Sequence, residues 1–582
     1  MKSSCQPSGG RFSGVSIFLL LILAGSLILN LWGIGYGLPD KYYPDEGRII
    51  DNALAFGTGD FNPHYFNYPA LTMYLLFFIY GFYFLVGRLA GFFSSLRDFQ
   101  LLFFSNPSSF YLLGRVWVAV TGVAVVALVY RVGKMAFKSQ NAGLFAALLL
   151  APLSYFVYHC HFVVTDILLL FFLLLSYLFI LGIYRSGKIG YYLAAGAAAG
   201  LGIATKYSPI LLILPIFLAH IFHALEHKKQ VFSSAFILPL VAAFGVMLLF
   251  FFIGSPYCFL DYGNFLASLQ FRQLYGKKHT FGTGTGTAWL DYPRLLFNHS
   301  FLVLNRVDPL GIIFLLGLVW SLFRRTKIDF LLLSFPLALY LLMGSWTSGS
   351  SRYALPLVIF LAVLGGRAVA EIAGLLSHRV GNMRLRRLGV GSLYGFIALS
   401  VSLSAINTVL RNYRITQPDT RSLAREWIGA NIPPGAKIAL EWDTEATVQL
   451  WETPDDIMAK IKAYEAGEAG TIHHSSEQMA AVHRMRLAAV PEQNYRIIRV
   501  GGMDGVTVKT DNYSLEELRE RGTKYLVTSG EVTGIFASER GREIYPRQAD
   551  FYKRIERELI QVKEFLPDPL ARPGPAIKIY RF

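Results

Sequence analysis

The sequence predicts a polytopic α-helical membrane protein of about 11 to 12 spanning helices, followed by a small extracytoplasmic α/β domain. Three observations predict it. Apolar stretches of roughly 18 to 25 residues, long enough to cross a hydrocarbon core, recur from residue 14 to about residue 410. Across 582 residues, 54% are hydrophobic and only 16% charged, too apolar for an ordinary soluble chain. From residue 411 the long apolar runs stop, and helix and strand signals alternate in a mixed polar composition. The expected division is 1–410 in the membrane and 411–582 outside it.

The first element is the apolar run from Val15 to Trp32, preceded by Lys2 and Arg11. It is long and has no A-x-A cleavage site, so it reads as a retained first helix that starts inside. Basic clusters then mark further inner loops: Arg131, Lys134 and Lys138; Arg185 and Lys188; Lys228 and Lys229; Arg324, Arg325 and Lys327; Arg379, Arg384, Arg386 and Arg387. Counting spans between these clusters puts the loops near 159–166, 206, 255–306 and 345–353 outside, with everything after 411. The run 69–92 breaks the alternation if it crosses. The expectation is that it lies along the outer interface or re-enters, leaving 34–109 as one large external loop. A true crossing, with another helix misjudged, is the alternative.

The formal charge of +16 sits largely in these short inner loops, where orientation and anionic headgroups account for it, and nucleic acid is not implied. Cys5, Cys160 and Cys258 form no disulfide framework and no CxxC spacing. Nucleotide signatures are missing as well. The stretch "FGTGTGTAW" at 281–289 precedes no nucleotide-binding helix, so it reads as a flexible loop or a lid.

Ionisable residues at helix ends carry the chemistry, because a charge at membrane depth costs several kcal/mol unless solvated or paired. The stretch "YYPDEGRII" puts Asp45 and Glu46 about ten residues after the first helix. In "YHCHFVVTDILLLFF", His159, His161 and Asp166 lie between two apolar runs on the same expected face. Asp166 reads equally as an N-cap of the next helix. The HxH pair leaves a divalent cation open, although spacing shows no third ligand. Lys206 in "GIATKYSPILLILP" is a snorkelling lysine or a cation for a phosphate at the bilayer surface. Arg352 and Tyr353 end the polar loop of "GSWTSGSSRYALPLVIF", and an arginine fork suits phosphate well. Acids and cations on one face supply the polarity needed to move a group off a lipid phosphate.

In order and spacing, "YYPDEGRI", "YPALTMYLLFF", "GRVWVAVTGVAVVALVYRVGKMAF", "AGLFAALLLAPLSYFVYHCHFVVTDILLLFF", "GLGIATKYSPIL" and "SSRYALPL" resemble the GT-C glycosyltransferases of the protein O-mannosyltransferase and aminoarabinose transferase type. The resemblance covers roughly residues 14–375. It implies a multi-pass enzyme of the cytoplasmic membrane that transfers a sugar, with inversion, from a polyprenyl-phosphate donor to an acceptor hydroxyl or amine on the outer face. It further implies juxtamembrane helices in the 34–109 loop, Asp45 as catalytic base, Glu46 and Asp166 beside it in the catalytic group, and Lys206 and Arg352 on the donor phosphate. His159, His161 and Tyr353, from their place at the same helix mouths, are expected in support. The acceptor does not transfer from the resemblance, and no cofactor is implied beyond the open divalent cation. A transporter or lipid-linked-glycan flippase is the alternative class, but it favours charges near the bilayer midplane and an internal repeat.

In the tail, "SLAREWIGANI" reads as a helix ended by Pro433 and Pro434, and "AKIALEW", "TKYLVTS" and "AIKIYRF" read as strands. Its histidines, including His473 and His474, form no catalytic grouping.

Overall fold

Apolar length and polar caps together set the helices. The computed structural model describes residues 14–582 apart from 228–232, 278–287, 298–308, 347–350, 443–444, 468–475, 505–506 and 510–511. The glycine-threonine loop at 281–287, the pair His473 and His474, and Lys228 and Lys229 lie outside the described residues. The chain opens with α1 (Gly14–Leu31), α2 (Glu46–Ala55), α3 (Leu71–Leu89) and α4 (Leu96–Ser105). A run of packed helices follows: α5 (Ser108–Phe137), α6 (Gln140–Leu150), α7 (Ser154–His159), α8 (Thr165–Ser186), α9 (Ile189–Ile203), α10 (Ile213–Glu226) and α11 (Ser234–Gly254). After α12 (Tyr257–Leu260), α13 (Tyr262–Lys277) and α14 (Asp291–Phe297) come α15 (Leu310–Arg324), α16 (Lys327–Gly344), α17 (Leu355–Arg379) and α18 (Met383–Ile415). Among the described residues nine helices are long and apolar enough to cross a membrane, and α6, α9 and α15 are shorter apolar helices. The chain is a multi-pass membrane protein.

Local chemistry explains the boundaries. Ser139 Oγ accepts from Ala142 N to start α6, and Thr326 with Asp329 forms a capping box that starts α16. Gly187, at φ 60°, ends α8 in the left-handed conformation. The Ala/Gly-rich face of α9 lets it lie directly on α11. A Cβ added to Gly196 would meet Ala243 O at 2.2 Å, and one added to Gly200 would meet Met247 O at 2.3 Å. Small residues of this kind are what close packing between membrane helices requires.

The segment α3 does not run beside α5 along its length. Its first amide, Leu71 N, donates to Ala204 O at the end of α9, and its middle residue Tyr80 donates to Phe110 O in the first turn of α5 at 3.3 Å. Further along, Tyr83 packs on Phe110 and Phe84 on Phe99. The start, middle and second half of α3 therefore stay near the same end of the bundle. Phe78, Phe82, Leu85 and Leu89 on its other side are exposed.

After α18, α19 (Thr420–Asn431) leads into strands β1 (Lys437–Glu441), β2 (Arg496–Val500), β3 (Gly502–Asp504), β4 (Thr507–Lys509), β5 (Tyr525–Ser529), β6 (Ile560–Phe565) and β7 (Ile577–Arg581). Five of them form one sheet in the order β2-β1-β5-β7-β6, with β1 parallel to both neighbours and β7 antiparallel to β5 and β6. Ile438, Leu440, Val527, Ile577 and Ile579 bury one face against Ala424 and Ile428 of α19. This α/β unit rests on the segment just ahead of Asp45. Tyr36 donates to Asp419 at 2.8 Å, Arg425 pairs with Asp40 at 2.5 Å, and Gln449 donates to Lys41 O at 2.8 Å.

Candidate active site

The two adjacent acids of "YYPDEGRII" face different surroundings. Glu46 opens α2 fully buried, taking Nε and Nη2 of Arg115 on its two oxygens at 2.8 and 2.6 Å and the amide of Val163 at 2.9 Å. Arg115 also donates to the carbonyls of Ile34 and Tyr36, each at 2.8 Å. This four-way staple ties the start of α2 and the chain after α1 to α5. Glu46 thus acts as an anchor, with both carboxylate oxygens engaged by Arg115 and one also by Val163. Asp45, one residue earlier, makes no capping bond with its side chain and is partly exposed. It pairs instead with Arg352, more than three hundred residues away in the chain.

A second pair stands beside the first. Lys206, in the turn between α9 and α10, holds Asp166 at 2.6 Å with both side chains largely buried. Asp166 does not cap α8, whose N-cap Val164 has no side-chain bond, so its carboxylate serves the ion pair. Lys206 does not snorkel to the surface either. Its ammonium lies 4.7 Å from the ring centre of Tyr353, and the guanidinium of Arg352 lies 5.5 Å from the same ring. Tyr353 therefore joins the Asp45 and Asp166 pairs into one cluster.

Arg272 on α13 completes it. It donates to Asn67 O, approaches Tyr353 Oη at 3.5 Å and lies 5.0 Å from the ring centre of Tyr68. Burial pushes the Tyr68 hydroxyl above the usual tyrosine range, so the phenol stays protonated. Arg272 carries no signal in sequence, and Tyr68 opens the motif "YPALTMYLLFF" without being marked out as a site residue. Their roles come from α13 folding back over the helix ends.

The histidines differ from each other. His159 is buried, with Nδ1 3.5 Å from the Tyr43 hydroxyl and Nε2 without a partner among the described residues. Burial holds it neutral, its pKa lowered to about 3 despite the nearby Asp166 carboxylate. His161 bridges two carbonyls, Val157 O at 2.8 Å and Trp32 O at 2.9 Å, joining the end of α1 to α7. The HxH pair therefore does not offer two ligands to one point. Among the described residues no three His, Cys, Asp or Glu side chains gather in a way that fits a metal. Cys160 and Cys258 are free and buried.

Three cations, Lys206, Arg272 and Arg352, outnumber two carboxylates, Asp45 and Asp166, in a partly desolvated cluster at one end of the helices. The Nε–H of Arg352 is buried and has no partner among the described residues. A buried donor of that kind beside an excess positive charge is suited to an anionic oxygen.

The helical membrane bundle, with acids and cations gathered at its helix mouths beside an α/β unit, has the architecture of solved membrane glycosyltransferases. The comparisons agree. The profile of the dolichyl-phosphate-mannose-protein mannosyltransferase family matches residues 101–253. The archaeal oligosaccharyltransferase AglB from Archaeoglobus fulgidus, solved with an inhibitory peptide and a dolichol-phosphate, shares the fold at a TM-score of 0.50 and 13% identity, over 91% of this chain and 72% of that one. ArnT from Cupriavidus metallidurans bound to undecaprenyl phosphate aligns over 97% of this chain and 98% of that one, at 14% identity and a TM-score of 0.46. The protein O-mannosyltransferase Pmt1-Pmt2 complex of S. cerevisiae bound to its sugar donor aligns over 44% and 35%, at 17% identity and a TM-score of 0.34. No curated protein matches the sequence. The resemblance drawn from the motifs is borne out in the fold, and the family profile matches residues 101–253 of the region that carries those motifs.

Proposed function

We propose that the protein transfers a sugar from a polyprenyl-phosphate donor to a hydroxyl or amine acceptor, on the outer face of the cytoplasmic membrane. The observation that carries this reading is the Asp45 and Arg352 pair, set beside Lys206 and Arg272 with one guanidinium N–H unspent. The mannosyltransferase profile over residues 101–253 and the dolichol-phosphate seen with AglB support the donor class.

The donor's phosphate docks on Arg352 and Arg272, with Lys206 adding positive charge from behind Tyr353. The acceptor then bonds to the anomeric carbon from the side opposite the phosphate, and Asp45 takes its proton. The bond between the anomeric carbon and the phosphate oxygen breaks, its electron pair stays on the phosphate, and the three cations stabilise the charge that develops. Inversion follows from that geometry. Asp166 holds Lys206 in place, and Glu46 holds α2, so that Asp45 keeps its direction.

The residues that form the cluster lie at the same end of the bundle as both ends of the 34–109 segment, and the α/β unit of 411–582 rests there too. The packing of α3 against the first turns of α5 supports keeping 34–109 on that one side. The test is reconstitution into liposomes with a polyprenyl-phosphate-linked sugar and an acceptor glycan or peptide. Free polyprenyl phosphate and glycosylated acceptor are expected together. Movement of intact donor across the bilayer without release of the phosphate would instead favour a flippase.

A further inference from the structure

The helix end opposite the Asp45 cluster carries a second feature that sugar transfer does not use. Between α1, α5 and α8, closed at one side by the start of α9, runs an open groove of about 1100 Å³. Its walls are apolar, including Leu19 and Leu20 of α1, Ala127 of α5 and Phe171 and Phe179 of α8. Its mouth is basic. Arg131 and Lys134 of α5 and Arg185 of α8 line it, and no carboxylate does.

The position in the bilayer follows from helix geometry. Asp166 and Arg185 sit at opposite ends of α8, about 28 Å apart at the rise of an α-helix. The basic mouth therefore lies near the membrane face opposite the Asp45 cluster. From Phe171 to Arg185 the groove follows α8 for about 21 Å, more than half of a hydrocarbon core of about 30 Å. An acyl chain of one leaflet fits along it with its headgroup at the cations.

The charges are available. Arg131 and Lys134 enter no ion pair among the described residues, and all three cationic side chains are exposed. Arg185 donates one bond to Met135 O, and Lys134 lies 5.7 Å from the ring centre of Tyr130. The acid on the adjoining helix, Glu226, is already held by Lys327 at 2.9 Å and by the Tyr184 hydroxyl at 2.8 Å. Tyr191 stands at the rim, where an amphipathic ring suits the headgroup level.

We propose that this groove binds an anionic phospholipid, its acyl chains against α1, α5 and α8 and its phosphate on Arg131, Lys134 and Arg185. Basic pockets between membrane helices recognise such headgroups, whereas a zwitterionic lipid brings a compensating cation of its own. The occupant is a bilayer lipid of the leaflet opposite the catalytic cluster, not the sugar carrier.

Native mass spectrometry of the delipidated full chain tests this, with phosphatidylglycerol, phosphatidylcholine of matched chains and a polyprenyl phosphate as probes. The wild type is expected to bind phosphatidylglycerol at least tenfold more tightly than phosphatidylcholine. The triple variant R131Q/K134Q/R185Q should lose the preference. Ala127→Trp, which fills the groove and leaves every charge in place, should lose phosphatidylglycerol binding as well. Equal binding of the two phospholipids by the wild type, or a preference that survives both variants, would overturn the proposal. Displacement of phosphatidylglycerol from the groove by polyprenyl phosphate would also overturn it, assigning the groove to the carrier.

Discussion

Replacing Glu46 separates an anchor from a catalytic acid. Both Glu46 and Arg115 side chains are 1% exposed, and Glu46→Ala would strand a buried guanidinium while also freeing the amide of Val163. Removing one partner of such a pair costs about 3 to 5 kcal/mol. Arg115→Met should cost a similar amount, because it leaves Glu46 charged and unpaired and two carbonyls, of Ile34 and Tyr36, without their donor. The double variant should cost less than the sum, with a coupling on the order of 2 kcal/mol. The assay is unfolding in mixed detergent micelles followed by circular dichroism, alongside transfer activity measured below the unfolding midpoint. Activity should fall at least as far as the folded fraction in all three variants, because the same staple holds α2 and with it Asp45. If Glu46→Ala keeps its stability within about 1 kcal/mol and still abolishes transfer, the anchoring role is wrong and the carboxylate acts in the chemistry.

Two further outcomes follow from named contacts. Arg272→Gln should raise the KM for the polyprenyl-phosphate donor by roughly tenfold to a hundredfold, the worth of one charge-assisted bond, and Arg272→Lys should restore little because an ammonium lacks the planar fork; an unchanged KM would remove Arg272 from the phosphate site. In the α/β unit, Glu441 at the end of β1 is fully buried and accepts from Ser529 N at 2.5 Å, and burial raises its pKa to about 8. The folded state thus holds its proton more tightly than the unfolded chain does. Its stabilisation is complete below about pH 4.5 and is lost as pH rises through about 8. Between pH 5 and 8 hydrogen exchange in β1 and β5, corrected for intrinsic rate, should accelerate by about a hundredfold or more, and Glu441→Gln should flatten the dependence.

Asp45, Lys206 and Arg352 were legible in the sequence for one physical reason. Charge beside an apolar run is costly, so its presence at several helix mouths on one expected face marks a site. Asp45 and Glu46 were not separable that way. Adjacent carboxylates look alike until α2 turns one toward Arg115 and the other toward Arg352. Asp166 invited a capping role that Val164 makes unnecessary, and Lys206 invited snorkelling that the Asp166 pair replaces. Arg272 reaches the cluster from a helix more than sixty residues beyond Lys206, a contact that no local pattern encodes. In the tail, β1, β5 and β7 were readable because their buried residues form apolar runs. The strands β2 and β6 were not, because they lie at the sheet's edges and interleave charge with apolar residues, as "RIIRV" and "IQVKEF" do.

The central claim is that Asp45 takes the acceptor's proton while Arg352 and its neighbouring cations hold the phosphate. Asp45→Asn tests it most directly, since the amide keeps the size of the side chain and removes the base. With the purified variant in liposomes, release of polyprenyl phosphate from the labelled donor should fall by at least a hundredfold, within the range for loss of a general base, while donor binding is retained. Transfer at the wild-type rate by a folded Asp45→Asn protein would contradict the account.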